Sequence, residues 1–381
     1  MRTRTRMRYL IGLGVLICLG SQVSQAVNLA MLTNPFSART GHPYRNGAVP
    51  TRTAHARSFQ WLESVQATYS LAPATVQTKT LSYGGSVNGI GVTSGAPRVY
   101  LVVWGTQWGS ESTSGDGIHT YSADTQGAVA LLQRFFRDVG NGHELWSGVL
   151  TQYCDGAVPQ GATTCPAGSN HVKYPAGGAL AGIWYDGTAK SPVIASAHDL
   201  AAEAVKAANH FNNSTADSNR YVQYVILSPP GTHPDRFNTG SPDAQFCAWH
   251  DYTSDPQLDG GPVPSDFGGV AFTNMPYVTD AEDCGAHFVN SDASGALDGV
   301  TINAGHEYAE TLTDQLPVGG WTNQSTIPAL QGEENADECS WIAPGAAGGA
   351  GNVQMGSGTY AVQSTWSNDT NQCALAHPVV P

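Results

Sequence analysis

Sustained hydrophobic patterning begins near residue 98. The run Arg98-Val-Tyr-Leu-Val-Val-Trp104 is apolar at consecutive positions and stops at Gly105, the pattern of a buried strand. Over 122–139, Val129, Leu132, Phe135, Phe136 and Val139 recur at helical spacing, and Gly140-Asn141-Gly142 closes the helix. Further strands are predicted over 145–153, 180–184, 220–227 and 269–274, and helices over 196–211 and 300–313, with Gly299 just before the last. The order β, α, β, β, α, β, β, α predicts a single mixed α/β domain over 97–381. Beyond Thr313 the chain is glycine-rich and loop-dominated, pinned by Trp321 and Trp341.

Upstream the pattern differs. Residues 27–96 are polar, rich in Thr, Ser, Ala and Gly, and carry no apolar period apart from a helix predicted over 59–69; they read as a linker or pro-segment. Residues 1–26 combine an n-region bearing Arg2, Arg4, Arg6 and Arg8 with an apolar run over 9–19 and a small-residue stretch ending at Ala26, the layout of a secretory signal peptide. That run is short of the ~20 residues a membrane span requires, so export without membrane insertion is expected. Six cysteines follow the signal: Cys154, Cys165, Cys247, Cys284, Cys339 and Cys373. An even number in an exported chain predicts disulfides, and order and spacing favour Cys154–Cys165, Cys247–Cys284 and Cys339–Cys373.

Composition sharpens this reading. Only 12% of the 381 residues are charged and 41% are hydrophobic, which suits a packed core and excludes a coiled coil or a disordered polyelectrolyte. The net charge of −13 repels nucleic acid. It is divided unevenly: residues 1–95 hold nine basic side chains against the single acid Glu63, leaving the remainder at −21. A basic segment joined to an acidic domain suits electrostatic docking in cis as a removable cover.

The strongest chemical signal lies on the last predicted helix, Asn303-Ala-Gly-His-Glu-Tyr-Ala-Glu310. His306 and Glu310 stand at i and i+4, on one helix face, so an imidazole nitrogen and a carboxylate oxygen can meet one ion. Glu307, one residue round, can address a water instead. This H-E-x-x-E pattern is the metallopeptidase H-E-x-x-H helix with Glu for the second His. A catalytic zinc site needs a third ligand, and Glu333-Glu-Asn-Ala-Asp-Glu-Cys339 offers it. Asp337 is the first choice and Glu334 the second. The expected cofactor is one divalent metal, zinc first, with manganese or calcium also suited to so oxygen-rich a shell; the expected partner is a protein or peptide substrate. His250 and His287, each beside a cysteine, read as packed side chains first and as ligands or substrate-binding groups second. A non-catalytic extracellular protein and a metal-free carboxylate hydrolase are the competing functional readings.

Several segments together resemble the exordium, or phosphate-induced, protein family and its bacterial relatives. They are Val99-Tyr-Leu-Val-Val-Trp-Gly-Thr106, Leu131-Leu-Gln-Arg-Phe-Phe136, Phe246-Cys-Ala-Trp-His250, Asp298-Gly-Val-Thr-Ile-Asn303 leading into His306-Glu-Tyr-Ala-Glu-Thr-Leu-Thr-Asp314, Asp337-Glu-Cys339, and Tyr360-Ala-Val-Gln363 before Trp366 and Cys373. Plant members are extracellular, cell-wall-associated proteins linked to growth, and many lack the H-E-x-x-E residues. The resemblance implies either a secreted metallohydrolase whose plant cousins have lost the site or a secreted non-catalytic protein. The order of elements ahead of the H-E-x-x-E helix is also similar to zincin metallopeptidases, an analogy that implies a zincin-like domain.

Overall fold

A computed structural model describes residues 34–69, 79–325 and 330–381; the predicted signal peptide over 1–26 lies outside them. The fold is mixed α/β. Six strands form the main sheet: Asn46–Pro50 (β1), Arg98–Trp104 (β2), Leu180–Asp186 (β3), Val222–Leu227 (β4), Phe246–Tyr252 (β5) and Ala271–Met275 (β6). Their spatial order is β1-β5-β6-β4-β2-β3. Strands β6, β4, β2 and β3 run parallel, β5 turns antiparallel to β6, and β1 lies antiparallel to β5 at the edge.

The central parallel strands are continuous apolar runs because both faces are covered. On β4 the side chains alternate: Gln223 donates to the carbonyl of Glu307 and to Thr311 Oγ1 on one face, while Tyr224 bonds Asn213 and Asn219 on the other. The second face is packed by the helix Ala197–His210, whose start is fixed by a reciprocal Ser196–Asp199 capping box. It buries Leu200 and a row of alanines, which let it sit close to the sheet. The first face carries the helices Ala128–Asp138 and Asp298–Thr313. We number the helices Arg52–Tyr69 (α1), Ala128–Asp138 (α2), Ala197–His210 (α3) and Asp298–Thr313 (α4). A short hairpin, Gly351–Met355 (β7) and Gly358–Val362 (β8), lies against α4.

Every residue of α4 is buried. Such a helix must find partners for its polar groups inside the protein, and most of them do. Asp298 at its first turn accepts the amides of Val289 and Asn290 at 2.7 Å, Thr301 Oγ1 donates to the Ala361 carbonyl at 2.6 Å, and Asn303 donates to the Cys284 carbonyl at 2.9 Å. After the helix, Asp314 accepts the amides of Val318, Gly319 and Gly320 and turns the chain back.

The three disulfides are Cys154–Cys165, Cys247–Cys284 and Cys339–Cys373, as their spacing suggested. No described helix is long and apolar enough to cross a membrane.

Three local expectations change. The strand predicted over 145–153 is a wholly buried 3₁₀ helix, Ser147–Gln152. A short apolar run fits either state, and here Glu144 accepts the amides of Gly140 and Ser147 at 2.9 Å each, which favours the helical turn. Gly299 belongs to the first turn of α4, where a Cβ would meet the Cys284 carbonyl oxygen at 2.2 Å. Strands β1 and β5 had no strand prediction, yet β5 joins β1 to the rest of the sheet.

The basic N-terminal segment lies on the acidic body. Arg39 donates to the Gly332 carbonyl at 3.2 Å, Arg45 pairs with Asp235 at 2.7 Å, and Lys79 pairs with Glu338 at 3.2 Å.

Candidate metal centre

Helix α4 projects His306 and Glu310 from one face, and His306 Nε2 lies 3.0 Å from Glu310 Oε1. Asp337 opens the short 3₁₀ turn Asp337–Cys339 and brings Oδ1 to 3.4 Å from the same nitrogen. One donor atom from each of these three residues lies within 4.8 Å of the others, the separation that bonds of ~2 Å to one ion require. The acidic turn is fastened in place: the Asp337 amide donates to Glu310 Oε1 at 2.9 Å and the Glu334 amide to Asp337 Oδ2 at 3.0 Å. Of the two proposed third ligands, Asp337 therefore faces His306. Glu334 instead faces His250, with Oε1 3.3 Å from His250 Nε2.

The orientation of His306 comes from behind. Gln363, which follows β8, places Oε1 3.0 Å from His306 Nδ1, so that Nδ1 is the donor and Nε2 turns its lone pair to the carboxylates. The same amide donates to the Ala336 carbonyl at 2.7 Å, tying the hairpin to the acidic turn. Such outer partners set the tautomer and ring plane of a ligating histidine.

His250, on β5, points into the same space with Nε2 3.7 Å from Glu310 Oε2. His250, Glu307 and Glu310 form a second group of donor atoms within 4.8 Å of one another. Glu310 is thus shared, one oxygen toward His306 and the other toward His250. His287 is exposed and lies outside the cluster.

The rule of partnered polar groups fails at several side-chain atoms of α4, Asn303 Oδ1 and the Tyr308 hydroxyl among them, and it fails at both oxygens of Glu307. Both its carboxylate oxygens are buried with no hydrogen-bond partner among the described residues, and Glu310 Oε2, Glu334 Oε2 and His306 Nε2 are orphaned in the same way. His306 Nε2 is within ion-pair distance of two carboxylates but aligned for a hydrogen bond with neither. Orphaned acceptors converging in a dry site are what a cation satisfies. The donor set of one imidazole and two carboxylates fits a divalent ion.

Electrostatics agree. Burial, with the neighbouring carboxylates Glu310, Asp337 and Glu334 adding to it, pushes the Glu307 carboxyl well above the usual range. Burial and Asp337 push Glu310 up. Burial would depress His306, but Glu310 and Asp337 outweigh it and hold the imidazole well above its ordinary value. Burial lowers His250. Asp337 goes the other way: against its burial, its contact with the His306 imidazole draws it below its ordinary value. A buried cluster in which three glutamates are raised and one histidine is held protonated lacks positive charge, and a metal ion competes for that place with protons.

Asp337 also borders a cleft of about 290 Å³ between the acidic turn and the N-terminal segment, lined in part by Arg39, His55, Phe59 and Trp341. Comparison with protein-family models, with curated proteins and with solved structures finds no match. What the site does is therefore read from its own atoms.

His306, Glu307, Glu310 and Asp337 come together as their spacing and chemistry suggested. Two participants carried too little signal: His250 was read first as a packed side chain, and Gln363 carried no signal in any spacing. Alternation along Phe246-Cys-Ala-Trp-His250 is the one pattern that bears on His250, which lies on the face of β5 from which its imidazole meets Glu310 of α4.

Proposed function

We propose that the protein is a secreted metal-dependent hydrolase, most specifically a zincin-like peptidase, with His306, Glu310 and Asp337 as ligands to one divalent ion and Glu307 as general base. The observation that carries this reading is the unpartnered, fully buried Glu307 carboxylate beside three converging donor atoms. A divalent ion held there supplies Lewis-acid polarisation of a carbonyl and acidification of a water.

The chain's own residues do the rest. Glu307, both of whose oxygens are free of other hydrogen bonds among the described residues, suits a base that takes a proton from water at a carboxylate oxygen and returns it to the leaving amine nitrogen. His250 stands where it can donate from Nε2 to an oxygen that becomes negative in the transition state. Gln363 holds His306 in the tautomer that leaves Nε2 free. Zinc suits the donor set best, and calcium is the alternative for the surplus carboxylates. Export fits the disulfides, and the N-terminal segment acts on the site in cis as a cover.

The test is metal analysis of the purified chain together with hydrolysis of casein or a peptide library by the parent and by Glu307→Gln, each freed of its N-terminal cover by limited proteolysis. Stoichiometric metal in both proteins, with hydrolysis only in the parent, is the expected result. Stoichiometric metal with no hydrolysis by any form freed of its cover favours the non-catalytic, exordium-type reading. Hydrolysis that survives a chelator removes the metal from the mechanism.

A further inference from the structure

Strand β1 runs directly over the cluster. Its Gly47 is so close that a Cβ there would fall 1.8 Å from Glu310 Oε2 and 2.8 Å from His250. The strand reaches the sheet only through β5, antiparallel and with an irregular register: Asn46 faces His250, Val49 faces Ala248 and Pro50 faces Phe246. Without it, β5 is a free sheet edge beside the donor cluster, the kind of edge onto which extended peptides add as an extra strand.

Just ahead of the strand, Arg45 is wholly buried. Its Nε donates to Asp235 Oδ2 at 2.7 Å and its Nη2 to the Asp235 carbonyl at 3.1 Å; Nη1 reaches the carbonyls of Asp243 and Ala38. The guanidinium lies 4.6 Å from the Phe246 ring centre. All but Ala38 belong to the acidic body. Asp235 is itself buried and held at a left-handed φ of 48°, and its other oxygen accepts the Tyr44 hydroxyl at 2.9 Å. Its partners at both oxygens thus come from residues 44 and 45, so the body presents a buried carboxylate matched to a cation from another segment.

We propose that residues 44–50 hold the place of a peptide ligand of this site: an extended chain, antiparallel to β5, with an arginine anchored on Asp235 two residues before the position that faces Glu310. The ligand class is an arginine-bearing peptide with a small residue at that position. This deepens the peptidase reading and rests on it for calling the peptide a substrate. The binding itself does not depend on hydrolysis.

The test uses the full chain. A fluorescent decapeptide with the sequence of residues 42–51 is titrated into the parent protein and into Gly47→Val, whose side chain cannot share space with Glu310. At least tenfold tighter binding to Gly47→Val is expected, falling at least tenfold when the peptide's arginine is alanine or when Asp235→Ala is added. Equal binding to parent and variant, or indifference to the arginine, overturns the proposal. Hydrogen exchange on the unaltered chain guards against a misfolded variant: amides of 46–49 are expected to open while those of β6 stay protected, and simultaneous exchange of both overturns it. Peptide binding by metal-loaded Gly47→Val without any hydrolysis sinks the peptidase reading and leaves the strand assignment standing.

Discussion

Gly47 and Glu310 approach so closely that only a glycine fits: φ at Gly47 is +53°, and a Cβ would lie 1.8 Å from the Glu310 carboxylate. Gly47→Ala is therefore expected to destabilise the chain by roughly 2–4 kcal/mol, strain and overpacking together. Gly41 provides the control, since it also has a positive φ, +80°, but nothing lies within 4 Å of its Cβ position. Gly41→Ala should lose only about 1 kcal/mol. Denaturant unfolding of the two variants compares them, and equal losses would remove the close approach from the account.

Gln363 reaches the cluster only through His306 and the Ala336 carbonyl. Replacing it with Met keeps the volume but frees the imidazole to rotate, so metal affinity should fall by roughly 10–100-fold. Competition against a chelator of known affinity reads this directly. An unchanged affinity would mean that packing alone orients His306.

The disulfide Cys339–Cys373 spans 34 residues and holds the turn that presents Asp337, whereas Cys154–Cys165 spans 11 and lies elsewhere. By loop length alone, replacing each pair with serine should remove roughly 4 and roughly 3 kcal/mol respectively. Only the first replacement should also weaken metal binding. Paired unfolding curves and metal titrations under non-reducing conditions separate the two effects.

Away from the cluster, Glu203 on α3 and Asp186 on β3 share Lys206. Asp186, the nearer, is drawn down to about 2 despite its burial, chiefly by its bonds to Lys206 and Thr188. Burial drives Glu203 the other way, up to about 8. An acid whose pKa is raised on folding binds its proton more tightly in the native state. Its contribution is fully present below the unfolded value near 4.5 and is lost as pH climbs to about 8. Glu203→Gln should consequently match the parent's unfolding free energy at pH 4 to 5 and exceed it at pH 9, by an amount on the order of a few kcal/mol. A variant equally destabilised at both pH values would place an ionised Glu203 in the native state.

What could be read from the chain and what could not follow from range. His306 and Glu310 were legible because helical geometry alone relates them, four residues apart. Asp337 was legible because it sits two residues before a bridged cysteine in an acidic stretch. The same holds for the central strand β2, whose apolar run needs no partner to be recognised. Arg45 and Asp235, by contrast, are separated by 190 positions, and His250 and Gln363 enter the cluster only after the sheet register and the hairpin are set. Strand β1 is a five-residue segment with glycine and proline in it, too short and too irregular to announce itself by alternation. Its strand character is conferred by β5, so no local pattern encodes it.

The position of β1 at the margin of the sheet has a colloidal consequence. Phe246-Cys-Ala-Trp-His-Asp-Tyr252 is a strand with three aromatic residues, and β1 occupies its outward row of backbone donors and acceptors. Bare sheet edges of that composition pair with one another between molecules. A chain stripped of its first fifty residues would thus be open to strand-to-strand self-association through β5, and the segment that lies over the cluster also keeps neighbouring copies apart.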